Sequence, residues 1–415
     1  MKLLILTQYF PPEVGAPQNR LFEIASRLQQ RGVEVTVLTA MPNYPQMEIH
    51  KAYKGKIYCR ERMDEMTIHR CWIYVPRSRA LMKRLLNYFS FTFSAFWLGL
   101  FKTRRKYDVL LVESPPLFLG ASAYLLSRCK GAKMVFNVSD LWPESAEKLG
   151  LISNKFFLRM ATFLEEFCYR KSALVSGQTQ GIVNNIKLRF PQKTVHWLKN
   201  GIDVSKYKES EIPNDVSFRR DKDLSPSDFV LLYGGIIGYA QGLEIILRAA
   251  EILQHKQDIK FILLGNGPQK EHLLAMKQDL NLNNVFFYDA VAKNQMSQII
   301  KEINASIIPL KRLDIFKGAI PSKIFEYQAM NKPILLGVEG EAEEMFIKQG
   351  KGGLSFEPDN AKDLSEKILQ LYNNPQAAKE MGERGFDYVK TNFSLSQIAE
   401  EFHQTLETLT KSKQQ

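Results

Sequence analysis

Along this chain the hydrophobic positions fall in short unbroken runs separated by stretches of helical period. Leu3–Leu6 and Val33–Leu38 are such runs, and Val109–Val112, Lys133–Val138, Leu174–Gly177 and His196–Leu198 follow. A run apolar on both faces predicts a strand buried in a parallel sheet. Between the first two runs, Asn19–Arg31 carries Leu21, Ile24, Ala25 and Leu28 at helical spacing and stops at Gly32. Most later runs are also separated by helical patterns. That alternation predicts an α/β fold with a doubly wound parallel sheet.

The pattern breaks over 200–228, "NGIDVSKYKESEIPNDVSFRRDKDLSPSD", which is polar, charged and rich in turn residues. It then restarts with "FVLLYGG", "IKFILLGNGP", "NVFFYDAV", "ASIIPL" and "KPILLGV". Two domains are therefore expected, 1–199 and 200–394. A last helix over 395–412 is predicted to start after Ser394, with Ile398, Phe402 and Leu409 on one face, and to pack back on the first domain. Ligands of doubly wound sheets bind outside the carboxyl ends of the strands, so the expected site is a cleft between two facing domains.

Charge sharpens this picture. The net charge is +12, but residues 1–200 hold 30 Lys and Arg against 14 Asp and Glu, and the remainder holds 26 against 30. The first half is thus suited to an anionic partner: nucleic acid, anionic lipid or a phosphorylated substrate. Cys59, Cys71, Cys129 and Cys168 form no short metal-type pair and read as free thiols of a reducing compartment. The opening run is too short for a signal peptide and reads as a first strand.

Candidate chemistry concentrates in "IFKGAIPSKIFEYQAMNKPIL", Ile315–Leu335. Ser322 and Lys323 fall at a predicted helix start, where free N–H groups and partial positive charge favour an anion. Gly318 and Ala319 can bring backbone close to a diphosphate, and Lys317 adds charge. Glu326, one turn on, can take both hydroxyls of a ribose, so the set suggests a nucleotide. The alternative is a surface pair between Lys323 and Glu326 at i, i+3. Gly234, Gly235 and Gly238 in "YGGIIGYAQGLE" form a second turn that either approaches phosphates or simply joins strand to helix. In "GNGPQKEHLL", Pro268 is expected at a first helical position.

Asp140 follows the strand "KMVFNV" and is placed to receive an acceptor proton, or to organise the turn before Pro143. Glu113 also ends a strand, and the Pro pair after it favours a structural role. No Asp-x-Asp and no His/Asp cluster suggests a metal, so no metal or other cofactor is expected. Arg77–Lys106 holds eight Lys or Arg and no acid around an apolar, aromatic centre from Leu85 to Phe101. That centre is short of the ~20 residues that span a bilayer. It suits an interfacial helix on anionic lipid, or a buried helix with solvated flanks.

Residues 1–410 resemble the GT-B glycosyltransferases of family 4. The resemblance rests on "QYFPPEVGAPQNR", "RGVEVTVLTAMPNYP", "VSDLWPES", "LKNGIDVSKY", "YGGIIGYAQGLE", "LGNGPQ" and "AIPSKIFEYQAMNKPIL". "SDLWPES" and "GYAQGLE" are similar to the bacterial L-fucosamine transferase-like branch of O-antigen and capsule synthesis. The resemblance implies a GT-B fold of two Rossmann-like domains and retention at the anomeric carbon. It implies transfer of an N-acetylated or deoxy-amino hexose from a UDP-sugar to a lipid-linked or glycan acceptor. It places the protein in the cytoplasm, peripheral on the inner membrane face through Arg77–Lys106. Gly15 and Gly235 would lie near the donor, with Lys317, Gly318, Ala319, Ser322, Lys323 and Glu326, and Asp140 and Lys323 would carry the chemistry.

The sequence departs from the family pattern at three places. The first Glu of the family's E-x7-E pair is replaced by Gly318, and its usual diphosphate Arg and Lys by Ile236 and Gln241. A UDP-sugar epimerase would need more acid and base groups than these. A nucleic-acid binder would show strongly salt-dependent affinity, and no recognition motif supports it.

Overall fold

The computed structural model describes residues 1–411 except 14, 45–46, 77–80, 149–151, 153 and 208–216. The contacts divide the chain into Met1–Asn200 with Leu395–Gln415, and Gly201–Ser394. Part of the expected linker, 208–216, and the first residues of the basic aromatic stretch, 77–80, lie outside the described residues.

The first unit is built on β1 (Lys2–Leu6), β2 (Glu34–Ala40), β3 (Tyr58–Met63), β4 (Met66–Cys71), β5 (Val109–Ser114), β6 (Lys133–Val138), β7 (Leu174–Gly177) and β8 (Val195–Trp197). They lie in the order β3-β4-β2-β1-β5-β6-β7-β8. Side chains alternate across the sheet. Leu4 and Leu6 face one helical layer: α2 (Leu81–Lys102), α3 (Leu119–Lys130) and α5 (Lys155–Lys171). Leu3 and Ile5 face the other: α1 (Ala16–Gln30) and the C-terminal helix Leu395–Lys411. A short α4 (Glu144–Lys148) precedes α5.

One expectation needs correction. The sheet is not wholly parallel, because β3 and β4 form an antiparallel hairpin at its edge. The hairpin turns at Asp64 and Glu65, both with positive φ, which a two-residue turn between right-twisted strands requires. Its outer strand reads YCRERM, with Arg60, Glu61 and Arg62 in succession and no buried residue, so it lacks the continuous apolar run of a buried parallel strand.

The second unit is a parallel sheet of β9 (Phe229–Gly234), β10 (Ile259–Leu264), β11 (Val285–Tyr288), β12 (Ala305–Pro309), β13 (Ile334–Gly337) and β14 (Gly353–Ser355), ordered β11-β10-β9-β12-β13-β14. In each sheet the strand order reverses at one place, between β1 and β5 and between β9 and β12. Each switch point opens a crevice at the carboxyl ends of its own sheet's strands. In the first unit the loop after β1 and Glu113 at the end of β5 lie at it, and in the second unit Gly234–Gly235 at the end of β9.

Candidate active site

In the second unit, β9 runs out at Gly234 beside Leu264 of β10. Gly235 follows with φ +142°. The helix Lys323–Ala329 brings Lys323 onto this turn. Its Nζ donates to Tyr233 Oη at 3.0 Å and lies 4.3 Å from the centre of the Tyr233 ring. A Cβ on Gly235 would stand 2.3 Å from Lys323 Cε and 2.7 Å from Nζ. Glycine there leaves the space that the lysine fills. Tyr327, one turn further on, accepts the Gly234 N–H at 3.1 Å. Burial pulls the Lys323 pKa down to about 8, against the raising effect of Glu326. Glu326 is half-buried and Ser322 is exposed, its side chain making no capping bond.

The second glycine turn lies behind the first. A Cβ on Gly265 would come within 1.8 Å of Gly235 O, and one on Gly267 within 2.2 Å of Ile237 O. These two glycines serve close approach of two backbones. Pro268 precedes the next helix, Lys270–Asp279, and does not occupy its first position as expected.

The remaining donor-side candidates are placed differently. Lys317 is exposed in the turn Asp314–Gly318 and pairs with Asp314 at 2.7 Å, a hydrogen bond that raises its pKa. Gly318 closes that turn and Ala319 continues in extended backbone. Gln241 lies back over Gly238, its Oε1 2.7 Å from where a Cβ there would be, and Ile236 is exposed. Of the two candidate lysines, Lys317 and Lys323, only Lys323 rests on the glycine turn.

In the first unit the loop after β1 is held by Glu13, which the sequence did not single out. Its buried carboxylate accepts the N–H groups of Phe10 (3.2 Å), Asn43 (2.8 Å) and Tyr44 (2.9 Å), tying the loop to the end of β2. Burial raises its pKa, opposed by those three bonds. Gly15 then caps α1 in extended backbone, and a Cβ there would meet Gln18 Oε1 at 2.4 Å. That Oε1 is buried with no hydrogen-bond partner among the described residues.

Asp140 lies two residues beyond β6. It is exposed, yet surrounding protein strips enough water from its carboxyl to raise the pKa above the ordinary aspartate value. Ser145 Oγ donates to it at 2.9 Å and holds the charged form in opposition. Glu113 is buried and spoken for: Arg20 pairs with it at 2.9 Å and Asn137 donates to it at 2.7 Å. Ser139 also bonds to it, and Ser176 donates to Asn137 at 2.7 Å. Arg20 and Asn137 were missed in the sequence. An Asn inside the apolar run "KMVFNV" was the available signal. Among the described residues no group of three or more His, Cys, Asp or Glu side chains converges.

Residues 15–201 match the model of the glycosyl transferase 4-like domain, and residues 216–388 that of glycosyl transferases group 1. The chain belongs to the family 4 GT-B glycosyltransferases. Within that family it is similar to WcaI of Escherichia coli (strain K12), a glycosyl transferase assigned provisionally to colanic acid biosynthesis. The two are 27% identical over 93% of this chain and 97% of WcaI. Two solved structures share the fold of this glycosyltransferase. Anabaena Alr3699/HepE, solved with UDP-glucose, gives a TM-score of 0.72 at 17% identity over 98% of this chain and all of that one. WaaG, a glycosyltransferase involved in lipopolysaccharide biosynthesis, gives 0.67 at 15% identity over 97% and 99%.

Proposed function

We propose that this glycosyltransferase moves a hexose, N-acetylated or deoxy-amino as in the L-fucosamine transferase-like branch, from a UDP-sugar to a glycan or lipid-linked acceptor. The setting would be bacterial surface polysaccharide synthesis, at the cytoplasmic face of the membrane. The observation that carries the reading is the Lys323 ammonium resting on the Gly235 turn at the switch point of its sheet. It brings one cation to a side-chain-free turn at the carboxyl end of β9, where a diphosphate can approach closely. Similarity to HepE, solved with UDP-glucose, and to WcaI supports the donor class and the setting.

In this reading Lys323 neutralises charge developing on the departing UDP, with Gly235, Gly318, Ala319 and Ser322 lining the diphosphate. Lys317 joins by leaving Asp314. Glu326 takes the ribose hydroxyls, and Gly15 lets the first-unit loop approach the donor phosphate. Asp140 accepts the acceptor hydroxyl's proton. The sugar keeps its anomeric configuration, and charge stabilisation falls to Lys323 and backbone donors without a resident metal. The Arg77–Lys106 segment brings the protein to anionic lipid.

The test is a transfer assay. Purified enzyme is incubated with a panel of labelled UDP-sugars and a bacterial lipid extract, and both UDP release and labelled lipid are followed. One UDP-amino-sugar should give labelled lipid, and Asp140→Asn should give almost none. UDP-sugar conversion without any acceptor would point instead to an epimerase.

A further inference from the structure

The exposed face of α2 continues onto a second helix. α2 buries Phe91 and Ala95 against the sheet. It turns Met82, Leu86, Phe89, Phe93, Trp97 and Phe101 outward, Phe101 at 72% exposure. Those positions recur at intervals of three and four, so they form one stripe. α5 does the same on a smaller scale. Leu158 and Ala161 are buried, while Phe156 and Phe163 are 73% and 69% exposed, with Met160 between them.

The two stripes are joined. α3 packs against both helices and exposes Leu125 between them. Phe89 of α2 lies 4.5 Å from Phe118, just ahead of α3, and Phe118 lies 6.4 Å from Phe157 of α5. These ten exposed side chains, at about 200 Å² each and roughly half bare, leave on the order of 1,000 Å² of apolar surface. The largest such patch on an ordinary monomer is about 300–600 Å². A face of this size calls for an occupant.

Charge says which. Lys83 and Arg84 at one end of α2, and Lys102 and Arg105 at the other, are exposed, as are Lys155 and Arg159 on α5. α2 contains no acid. On α5, Glu165 is buried against Tyr169 and Arg189, and Glu166 pairs with Arg170. Apolar side chains rimmed by cations match acyl chains beneath anionic headgroups. Among the described residues no helix is long and apolar enough to cross a membrane, so the match is to a bilayer surface.

We propose that α2 and α5 together form a single face that lies on an anionic lipid bilayer. This rests on the membrane contact proposed above for Arg77–Lys106 and adds a helix outside that segment. The test is co-sedimentation of the full chain with vesicles of phosphatidylethanolamine and phosphatidylglycerol, and with neutral phosphatidylcholine vesicles. Two double variants are compared with wild type: Phe93→Ser with Phe101→Ser on α2, and Phe156→Ser with Phe163→Ser on α5. All four side chains are exposed, and an unchanged Tm verifies the fold.

Wild type should bind the anionic vesicles and not the neutral ones, and each double variant should bind about tenfold or more weakly. If only the α2 pair releases the protein, the two-helix face is wrong while the Arg77–Lys106 contact stands. If wild type binds neither vesicle, both fall. Equal binding to neutral vesicles removes the charge argument. If the serine variants instead convert a dimer to a monomer, the occupant is a second copy of this chain, and the proposal is overturned.

Discussion

At the scale of single residues, Glu113 at the end of β5 and Asp140 just beyond the neighbouring β6 have opposite fates. Glu113 is locked in a buried pair with Arg20. Removing one partner of such a pair costs about 3–5 kcal/mol, because the other charge stays buried alone. Glu113→Gln is therefore expected to lower Tm by on the order of 10 °C in a thermal melt. Among the described residues Asp140 has only Ser145 Oγ and the Leu141 backbone on its carboxylate, and it loses stability by being charged. Its folded pKa is raised above the unfolded value, so its charged form costs stability once pH exceeds the unfolded pKa. Asp140→Asn should leave Tm unchanged or slightly higher while lowering kcat by about 10²–10⁴-fold. The base form is lost as pH falls through the raised pKa. Wild-type kcat/KM should thus show an acidic limb above about pH 3.9, the ordinary aspartate value, and the Asn variant should lack it. Asp140 was legible in the sequence because it follows a strand. Arg20 was not, because it sits in the first helix and its partner is 93 residues away.

At the scale of elements, the glycine turns divide by what presses on them. Gly265 faces backbone, Gly235 O at 1.8 Å from a Cβ, and backbone cannot rotate aside. Gly235 faces the flexible end of Lys323, and Gly15 the amide of Gln18. Gly265→Ala should therefore lower Tm steeply. Gly235→Ala, with φ +142° and a displaced lysine, should cost about 1–3 kcal/mol of strain and most of the UDP affinity. Gly15→Ala, in extended backbone, should leave Tm unchanged, so any loss of donor affinity there reports on the ligand. Melts and UDP titrations of the three variants check this. The repeated strand–turn–helix pattern made both sheets legible. The β3–β4 hairpin was not, because its outer strand buries little and its turn residues, Asp64 and Glu65, carry no glycine. The α2 stripe could be read as basic and aromatic, but the α5 stripe is three residues long and became visible only when α3 placed it beside α2.

At the scale of the whole molecule, the chain leaves the first unit at Asn200 and returns at Leu395. The return is held by packing: Ile398, Phe402 and Leu406 are fully buried against α1 and β1, at about 1.5–3 kcal/mol each. The Arg31–Glu400 pair is half-exposed and adds at most about 1 kcal/mol. Charge is divided too, with the excess of cations in the first half, where α2 and α5 lie, and a slight excess of anions in the second. The proposed nucleotide site lies in that second half, where Lys323 is the cation seated on the Gly235 turn. The most direct measurement is calorimetric titration of UDP, GDP, ADP and NAD into wild type and Lys323→Ala, from about pH 7 to about pH 9. Lys323 is charged below about pH 8 and neutral above it. UDP should bind selectively, its affinity should fall as pH rises through about 8, and the Ala variant should bind at least about tenfold more weakly with that pH dependence gone. If no nucleotide binds, or Lys323→Ala binds UDP like wild type, the turn at Gly235 is not the nucleotide-sugar site.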